Sequence, residues 1–390
     1  MLNVLFIHQS AEMYGSDKTL LLLLTHIDRT KFNPVVIIPE DGSLKDALAD
    51  INIKIVIAPI VKLYRNIFTI KNLFQVMLDI KTGIKVLDKL HLQYNFDIVY
   101  SNTLAVLLGF IYAKKRKIKH LWHVHEIIES PIVIKNIFIK LLAFKTTSII
   151  VYNSVTTQKF WNVNLKISDK SVVILNGIKT EAILKSRSEI SSIRDINFHA
   201  KNNDIIIALV GRISRWKGHL ILLQAFYNII STNSSTNLKL VFIGTAPSNQ
   251  DSYLHCLKTQ ITNLNLNKNV KIIPFQENIS EIWQSIDIAI VPSTEPEPFG
   301  LVAIEAMLAK KPVIASNHGG LTEIIVDNIT GFLFEPRNDK ALSSAILKLI
   351  DNPNLRVTFG ENGHQRVLEK FSIENHVKQF EQIIQKVSLS

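Results

Sequence analysis

An α/β protein made of two doubly wound halves is what this sequence predicts, and three observations carry the prediction. Short aliphatic runs alternate with helix-length stretches, the pattern of parallel strands joined by crossover helices. The alternation breaks in a polar, Ser-rich stretch and restarts at Asp204. The length, 390 residues, suits two cores better than one. The expected boundaries are a first domain over 1–180, a linker over 181–203 without clear period, and a second domain over 204–372.

In chain order, Asn3 to His8 reads as the first strand, Gln9 to Lys18 as a polar loop around Gly15, and Thr19 to Ile27 as a helix. A Gly that opens a helix after the first strand is an arrangement that cradles phosphate, although a single Gly is more often an ordinary turn. No G-x-G-x-x-G occurs, which argues against a dinucleotide fingerprint. Strands follow at Val35–Ile38, Ile53–Ile57, Ile98–Tyr100, Lys119–Val124 and Ser148–Val151. Ligands of such sheets bind beyond the carboxyl ends of the strands. Three polar groups fall there: Ser101-Asn102-Thr103, His123-Val-His125-Glu126 and Asn153-Ser154. His123 and His125 would share one face of a strand, but no third ligand is spaced to complete a metal site.

The second half opens with a strand at Ile205–Val210, then Gly211-Arg212 and, five residues on, Lys217-Gly218 at a helix start. Two cations beside a helix N-terminus suit one anion; the plainer reading is two surface charges. Strands are expected at Leu238–Ile243, before Gly244-Thr-Ala-Pro, and at Val270–Pro274. Ile288–Val291 is a buried strand. Prolines 292, 296 and 298 then exclude regular structure. Gly300 opens a helix whose apolar face carries Leu301, Ile304 and Leu308, with Glu305 at its margin. Pro312 to Ala315 is the next strand. The amides of Phe299, Gly300 and Leu301 suit a phosphate, and Glu297 and Glu305 suit sugar or ribose hydroxyls. As an isolated pair they would equally be capping and solvated acids.

Composition narrows the class. Apolar content of 47% and charged content of 20% describe an ordinary globular protein. The single cysteine, Cys256, excludes a disulfide framework and a Cys-based metal site, and suits a reducing compartment. The first residues begin a strand and lack the basic segment and cleavage site of a signal peptide. No apolar run reaches about 18 residues, so no membrane-spanning helix is expected. A cytoplasmic protein is the expectation. The net charge of +11 is uneven: residues 1–180 hold 23 Lys+Arg against 13 Asp+Glu, and residues 181–390 hold 21 against 20. Basic residues interleave with aliphatics in Leu63–Leu92 and Pro131–Lys145, and Ala113–Lys119 adds a compact cluster. Core helices with solvated lysines and an interfacial face drawn to anionic lipid weigh equally here. No nucleic-acid-binding module is present.

The run Glu297-Pro-Phe-Gly300, Glu305-Ala-Met, Pro312-Val-Ile-Ala-Ser, Gly319-Gly320 and Glu323 resembles the E-x7-E signature of the retaining nucleotide-sugar glycosyltransferases of family 4. Gly211-Arg212 followed by Lys217-Gly218 resembles that family's Gly-Arg-x4-Lys-Gly motif, and Val172 to Gly177 its Val-Ile-Pro-Asn-Gly segment, with Leu175 in place of the proline. The resemblance is close from Gly211 to Glu335 and looser in the first 180 residues. It implies a GT-B type fold: two Rossmann-like domains facing a cleft, with the last helix, about 373–390, crossing back onto the first domain. It also implies transfer of a hexosyl group from a nucleoside diphosphate sugar to a saccharide or lipid-linked acceptor, as in cell-surface polysaccharide and lipopolysaccharide biosynthesis.

On that resemblance Arg212 and Lys217 hold the donor diphosphate. Glu297 holds the sugar hydroxyls, Glu305 the ribose, and His125 the donor sugar. Gly15 and Asn102 lie near the substrates, and Phe275 lies where the base approaches. With cations supplied by the protein, no cofactor or metal is required. Retention of configuration follows from the resemblance alone. Nucleotide-sugar epimerisation or phosphorolysis on the same fold, and an inactive sugar-binding or membrane scaffold, are the alternatives.

Overall fold

A computed structural model describes residues 1–61, 70–181, 184–232, 237–247, 250–276 and 278–389, apart from the side chains of 70–74. The chain forms two compact units, Met1–Gly177 with Ile373–Ser390, and Ile178–Ser372.

The first unit is a seven-stranded parallel sheet: β1 (Leu2–His8), β2 (Phe32–Ile38), β3 (Lys54–Ile57), β4 (Ile98–Asn102), β5 (Lys119–Val124), β6 (Thr147–Tyr152) and β7 (Ser171–Val173), in the order β3-β2-β1-β4-β5-β6-β7. Successive side chains of a strand point to opposite faces. Val4, Phe6, Val36 and Ile38 therefore join one core with the helices Gly15–His26, Ser43–Asp50 and Ile373–Leu389. Leu5, Ile7, Val35 and Ile37 join another with the helices Ile70–Tyr94 and Leu107–Arg116. Burial on both faces explains why these strands read as unbroken aliphatic runs.

The second unit is a six-stranded parallel sheet: β8 (Ile205–Val210), β9 (Leu238–Ile243), β10 (Val270–Ile273), β11 (Ile288–Val291), β12 (Val313–Ser316) and β13 (Gly331–Phe334), in the order β10-β9-β8-β11-β12-β13. Ile207, Leu209, Leu240, Phe242, Ile288 and Ile290 pack with the helices His219–Thr232, Asp251–Asn263 and Asp339–Asp351. Leu301–Leu308 packs against Pro353–Lys370, where Gly363 leaves room for Met307.

Several expectations change. The first helix begins at Gly15 rather than Thr19, because Asp17 accepts the Tyr14 amide in a capping box. The stretch expected as linker contains the helix Arg187–Phe198, opened by a second capping box between Ser186 and Glu189. This helix is fastened by a charge rather than an apolar stripe, so no period announced it. Arg194 is buried and donates to the Asp287 carboxylate and to the carbonyls of Ser285 and Asp204. The edge strands β7 and β13 are too short for a period. The basic stretch Leu63–Leu92 lies partly outside the described residues; its described part belongs to the helix Ile70–Tyr94. Pro131–Lys145 contains the helix Ile132–Leu142. Among the described residues no helix is long and apolar enough to cross a membrane.

Candidate active site

In an open parallel sheet the ligand crevice opens where the strand order reverses. In the second unit that point lies between β8 and β11, which pair Ile207 with Ile288 and Ala208 with Ala289. The loops leaving these two strands carry Arg212 to Gly218 and Pro292 to Gly300. They are joined tightly: the Thr294 amide donates to the Trp216 carbonyl at 2.7 Å. Gly218 has φ +79°, and a Cβ there would lie 1.9 Å from the Pro292 carbonyl oxygen. Only glycine permits both the conformation and the approach.

That approach brings Lys217 to Glu297. The Lys217 ammonium donates to Glu297 Oε1 at 2.6 Å and lies 4.1 Å from the centre of the Trp216 ring. Ser293 Oγ donates to the same carboxylate oxygen at 2.6 Å. Glu297 is only 5% exposed, so its charge needs those partners. Its backbone is held as well: the Gly320 amide donates to the Glu297 carbonyl at 2.7 Å. A Cβ on Gly319, at φ +63°, would lie 2.4 Å from that same oxygen. His318 Nε2 donates to the Ser293 carbonyl at 2.9 Å and ties the next loop in. His318 and Ser293 had no role in the reading from sequence, where Gly218, Gly319 and Gly320 entered only as members of the motifs.

The other expected residues of this unit lie on the loops after β8 and β10 and at the start of the helix Leu301–Leu308. Arg212 is half-buried directly after Gly211. Phe275 follows β10, exposed, with its amide donating to Thr245 Oγ1. Gly300 opens the helix Leu301–Leu308 in the left-handed conformation, without a side-chain cap. Glu305 is half-buried one turn inside that helix, and Leu301 is half-buried at its start. The Phe299 side chain is buried edge-on against Phe371.

In the first unit the order reverses between β1 and β4. Register places His8 opposite Asn102, and Asn102 opposite His123. A relay of side chains runs along this row. Asp17 Oδ1 meets His8 Nε2 at 2.7 Å, His8 Nδ1 meets Asn102 Nδ2 at 2.9 Å, and Asn102 Oδ1 meets His125 Nε2 at 2.8 Å. The rings of His123 and His125 lie 3.8 Å apart, and His123 Nδ1 pairs with the Tyr100 hydroxyl at 2.7 Å.

The electrostatics follow from burial. Desolvation pushes His125 down to about 3 and also lowers His123. Both are neutral imidazoles. Burial raises the Asp17 carboxyl, but hydrogen bonds and the charge interaction with His8, together with Ser10 and the Tyr14 amide, outweigh it and leave it below its usual range. Glu126 accepts from the amides of Leu104 and His125, yet burial still pushes it up to about 7.

Two expectations need correction here. Asn102 is buried, and both ends of its amide are engaged by histidines, so its side chain is not presented to a ligand. Gly15 is the exposed first residue of a helix rather than part of a loop. His8 and Asp17 were missed. The available signal was a His ending the first strand and an Asp in the first turn of the next helix.

Two doubly wound sheets, each with its polar residues gathered at the point where strand order reverses, define the GT-B glycosyltransferase fold. Within it, residues 192–366 match the family model of glycosyl transferases group 1. The chain is 32% identical over 242 residues to the capsular polysaccharide biosynthesis glycosyltransferase CapM of Staphylococcus aureus, covering 60% of this chain and 60% of that protein. It is 31% identical over 182 residues to the lipopolysaccharide 1,2-N-acetylglucosaminetransferase of Salmonella typhimurium, covering 45% and 47%. The crystal structure of Anabaena HepE in complex with UDP and glucose superposes with a TM-score of 0.86 at 25% identity, covering 99% of this chain and all of that one.

Proposed function

We propose that this protein is a nucleotide-sugar-dependent retaining glycosyltransferase of the E-x7-E type. It moves a hexosyl group from a nucleoside diphosphate sugar to a saccharide or lipid-linked saccharide in cell-surface polysaccharide assembly. The observation that carries the reading is the pairing of half-buried Lys217 with buried Glu297 at the switch point of the second sheet. A cation and a carboxylate held together in the resting protein match the two halves of such a donor, diphosphate and sugar.

On this reading the donor exchanges the pair. The diphosphate takes over Lys217 together with Arg212, and Glu297 turns its oxygens to sugar hydroxyls while Ser293 keeps it oriented. The amides opening the helix Leu301–Leu308 add to the positive field, and Glu305 holds the ribose. The acceptor oxygen bonds to the anomeric carbon as the bond from that carbon to the phosphate oxygen breaks. The acceptor proton passes to the leaving diphosphate, whose growing charge the fixed cations stabilise. With Glu297 given to the sugar hydroxyls and Glu305 to the ribose, neither carboxylate is left to attack the anomeric carbon, which favours this front-face course over a covalent intermediate. His125, neutral and supported from behind, contacts the donor sugar. With Arg212 and Lys217 in place, turnover requires no metal.

The complex of HepE with UDP and glucose makes a uridine diphosphate sugar the first donor to try. Incubating UDP-glucose with the protein, with and without a saccharide acceptor, separates the readings. Acceptor-dependent release of UDP supports transfer. Interconversion of nucleotide sugars points to epimerisation, and no turnover with any nucleotide sugar points to a scaffold.

A further inference from the structure

We propose that Asp17, His8 and Asn102 are positioning residues that set the tautomer and the ring orientation of His125. The inference rests on the donor-sugar role given to His125 and adds to it the machinery behind that ring.

The argument begins at an atom with only one possible role. The Ser16 carbonyl oxygen can only accept, and it lies 3.4 Å from Asn102 Nδ2. That fixes which end of the Asn102 amide is the donor. Nδ2 therefore also donates to His8 Nδ1, which must carry a lone pair. His8 then bears its proton on Nε2 and donates it to Asp17. Asp17 is a suitable terminus. It is buried, it accepts from Ser10 Oγ and from the Tyr14 amide, and its carboxyl is held below its usual range. At the other end Asn102 Oδ1 can only accept, so His125 Nε2 carries the proton and Nδ1 is the acceptor nitrogen. The His123 ring against its face removes the remaining rotational freedom. Every choice along the chain follows from the one before it. The relay is also built by register, since β1, β4 and β5 bring His8, Asn102 and His123 into one row. A buried carboxylate that fixes a histidine tautomer through hydrogen bonds is a known way to hold an imidazole in its working form.

Asp17→Asn tests this sharply. The Tyr14 amide demands an acceptor, so the new NH₂ turns toward His8 and reverses the polarity of the chain. His8 shifts its proton to Nδ1, the Asn102 amide flips, giving up its long 3.4 Å contact with the Ser16 carbonyl to keep the shorter bonds to His8 and His125, and His125 moves from the Nε2–H to the Nδ1–H tautomer. Long-range 1H–15N correlation spectra of histidine-labelled protein report both tautomers, with His125 assigned by its loss in His125→Gln. The expected result is Nε2–H in the natural protein and Nδ1–H in Asp17→Asn. With UDP-glucose as donor, kcat should fall by about tenfold or more, and KM should change little. A second variant, Asn102→Asp, should protonate His8 on Nδ1 and leave His125 as Nε2–H, because both ends of a carboxylate accept. Nδ1–H in the natural protein, or a His125 tautomer indifferent to Asp17→Asn, overturns the relay whatever the turnover. A switched tautomer supports the relay even with unaltered turnover, and that combination counts instead against the role given to His125.

Discussion

Lys217 and Glu297 are 80 residues apart in sequence and 2.6 Å apart in space, and each now serves as the other's neutraliser. Arg212→Ala and Lys217→Ala should both lower turnover by about 10²-fold, the loss typical of a donor aimed at developing charge. Removing the Lys217 ammonium leaves a buried carboxylate with Ser293, among the described residues, as its remaining side-chain donor, a loss of about 2 kcal/mol. Denaturant titration of Lys217→Ala against the natural protein checks this, and unchanged stability would contradict the pairing. Motif spacing made both residues legible. It could not show that they touch, because that depends on the glycine at 218 and on the neighbouring strand. Asp17 and His8 were illegible for a related reason: a single His and a single Asp carry no period, and their meaning lies in the register of β1 with β4.

At the scale of the element, the connection after β8 has one permitted geometry. Gly218 combines φ +79° with backbone contact to Pro292. Gly218→Ala should therefore destabilise the protein by about 2–3 kcal/mol and pull Lys217 away from Glu297, lowering turnover as strongly as loss of the lysine itself. Thermal unfolding and a turnover assay on this variant check both effects. Strands were the most legible elements: β5, β8, β9 and β11 have the limits expected from their aliphatic runs. Burial on both faces writes itself into such runs. The helix Arg187–Phe198 was not legible, because its anchor is Arg194 donating to Asp287 across 93 residues, and arginine looks like solvent-facing charge in sequence. In the helix Ile132–Leu142 the two readings of the basic stretches can now be weighed residue by residue. The Lys135 ammonium sits 4.0 Å from the centre of the Phe160 ring and serves packing. Lys140 is exposed, as are Ile132 and Val133 on the same helix. Binding to anionic liposomes at low salt, if it occurs through this helix, should weaken with Lys140→Glu and disappear as salt screens the charge. No sedimentation with anionic vesicles at low salt would remove the membrane from the proposal.

Across the whole molecule, buried histidines make stability depend on pH. Burial lowers His120, His125 and His219 to about 3 and His376 to about 4. These groups bind protons in the unfolded chain below about pH 6.5 and stay neutral in the fold. Their contribution is intact above pH 6.5 and is lost as pH falls toward 4, at about 1.4 kcal/mol per pH unit for each. Glu126 acts oppositely: its carboxyl is raised to about 7 in the fold, so its ionisation opposes folding as pH rises from about 4.5 to 7. Four histidines outweigh one glutamate, and the denaturation midpoint should drop steeply between pH 6.5 and 4. A midpoint flat over that range would show that the histidines are not buried neutral. The proposed chemistry makes a separate demand at this scale. With cations supplied by the chain, transfer should survive EDTA; complete loss, restored by Mg²⁺ or Mn²⁺, would transfer the charge-stabilising role to a metal.

The central claim, that Arg212 and Lys217 receive the diphosphate of a nucleotide sugar, is tested most directly by calorimetric titration of UDP into the natural protein and into Arg212→Ala and Lys217→Ala. The account predicts saturable binding by the natural protein, weakened at least about tenfold in each variant, the factor that 1.4 kcal/mol of lost charge interaction provides. Equal affinity in all three proteins would place the diphosphate elsewhere and contradict it.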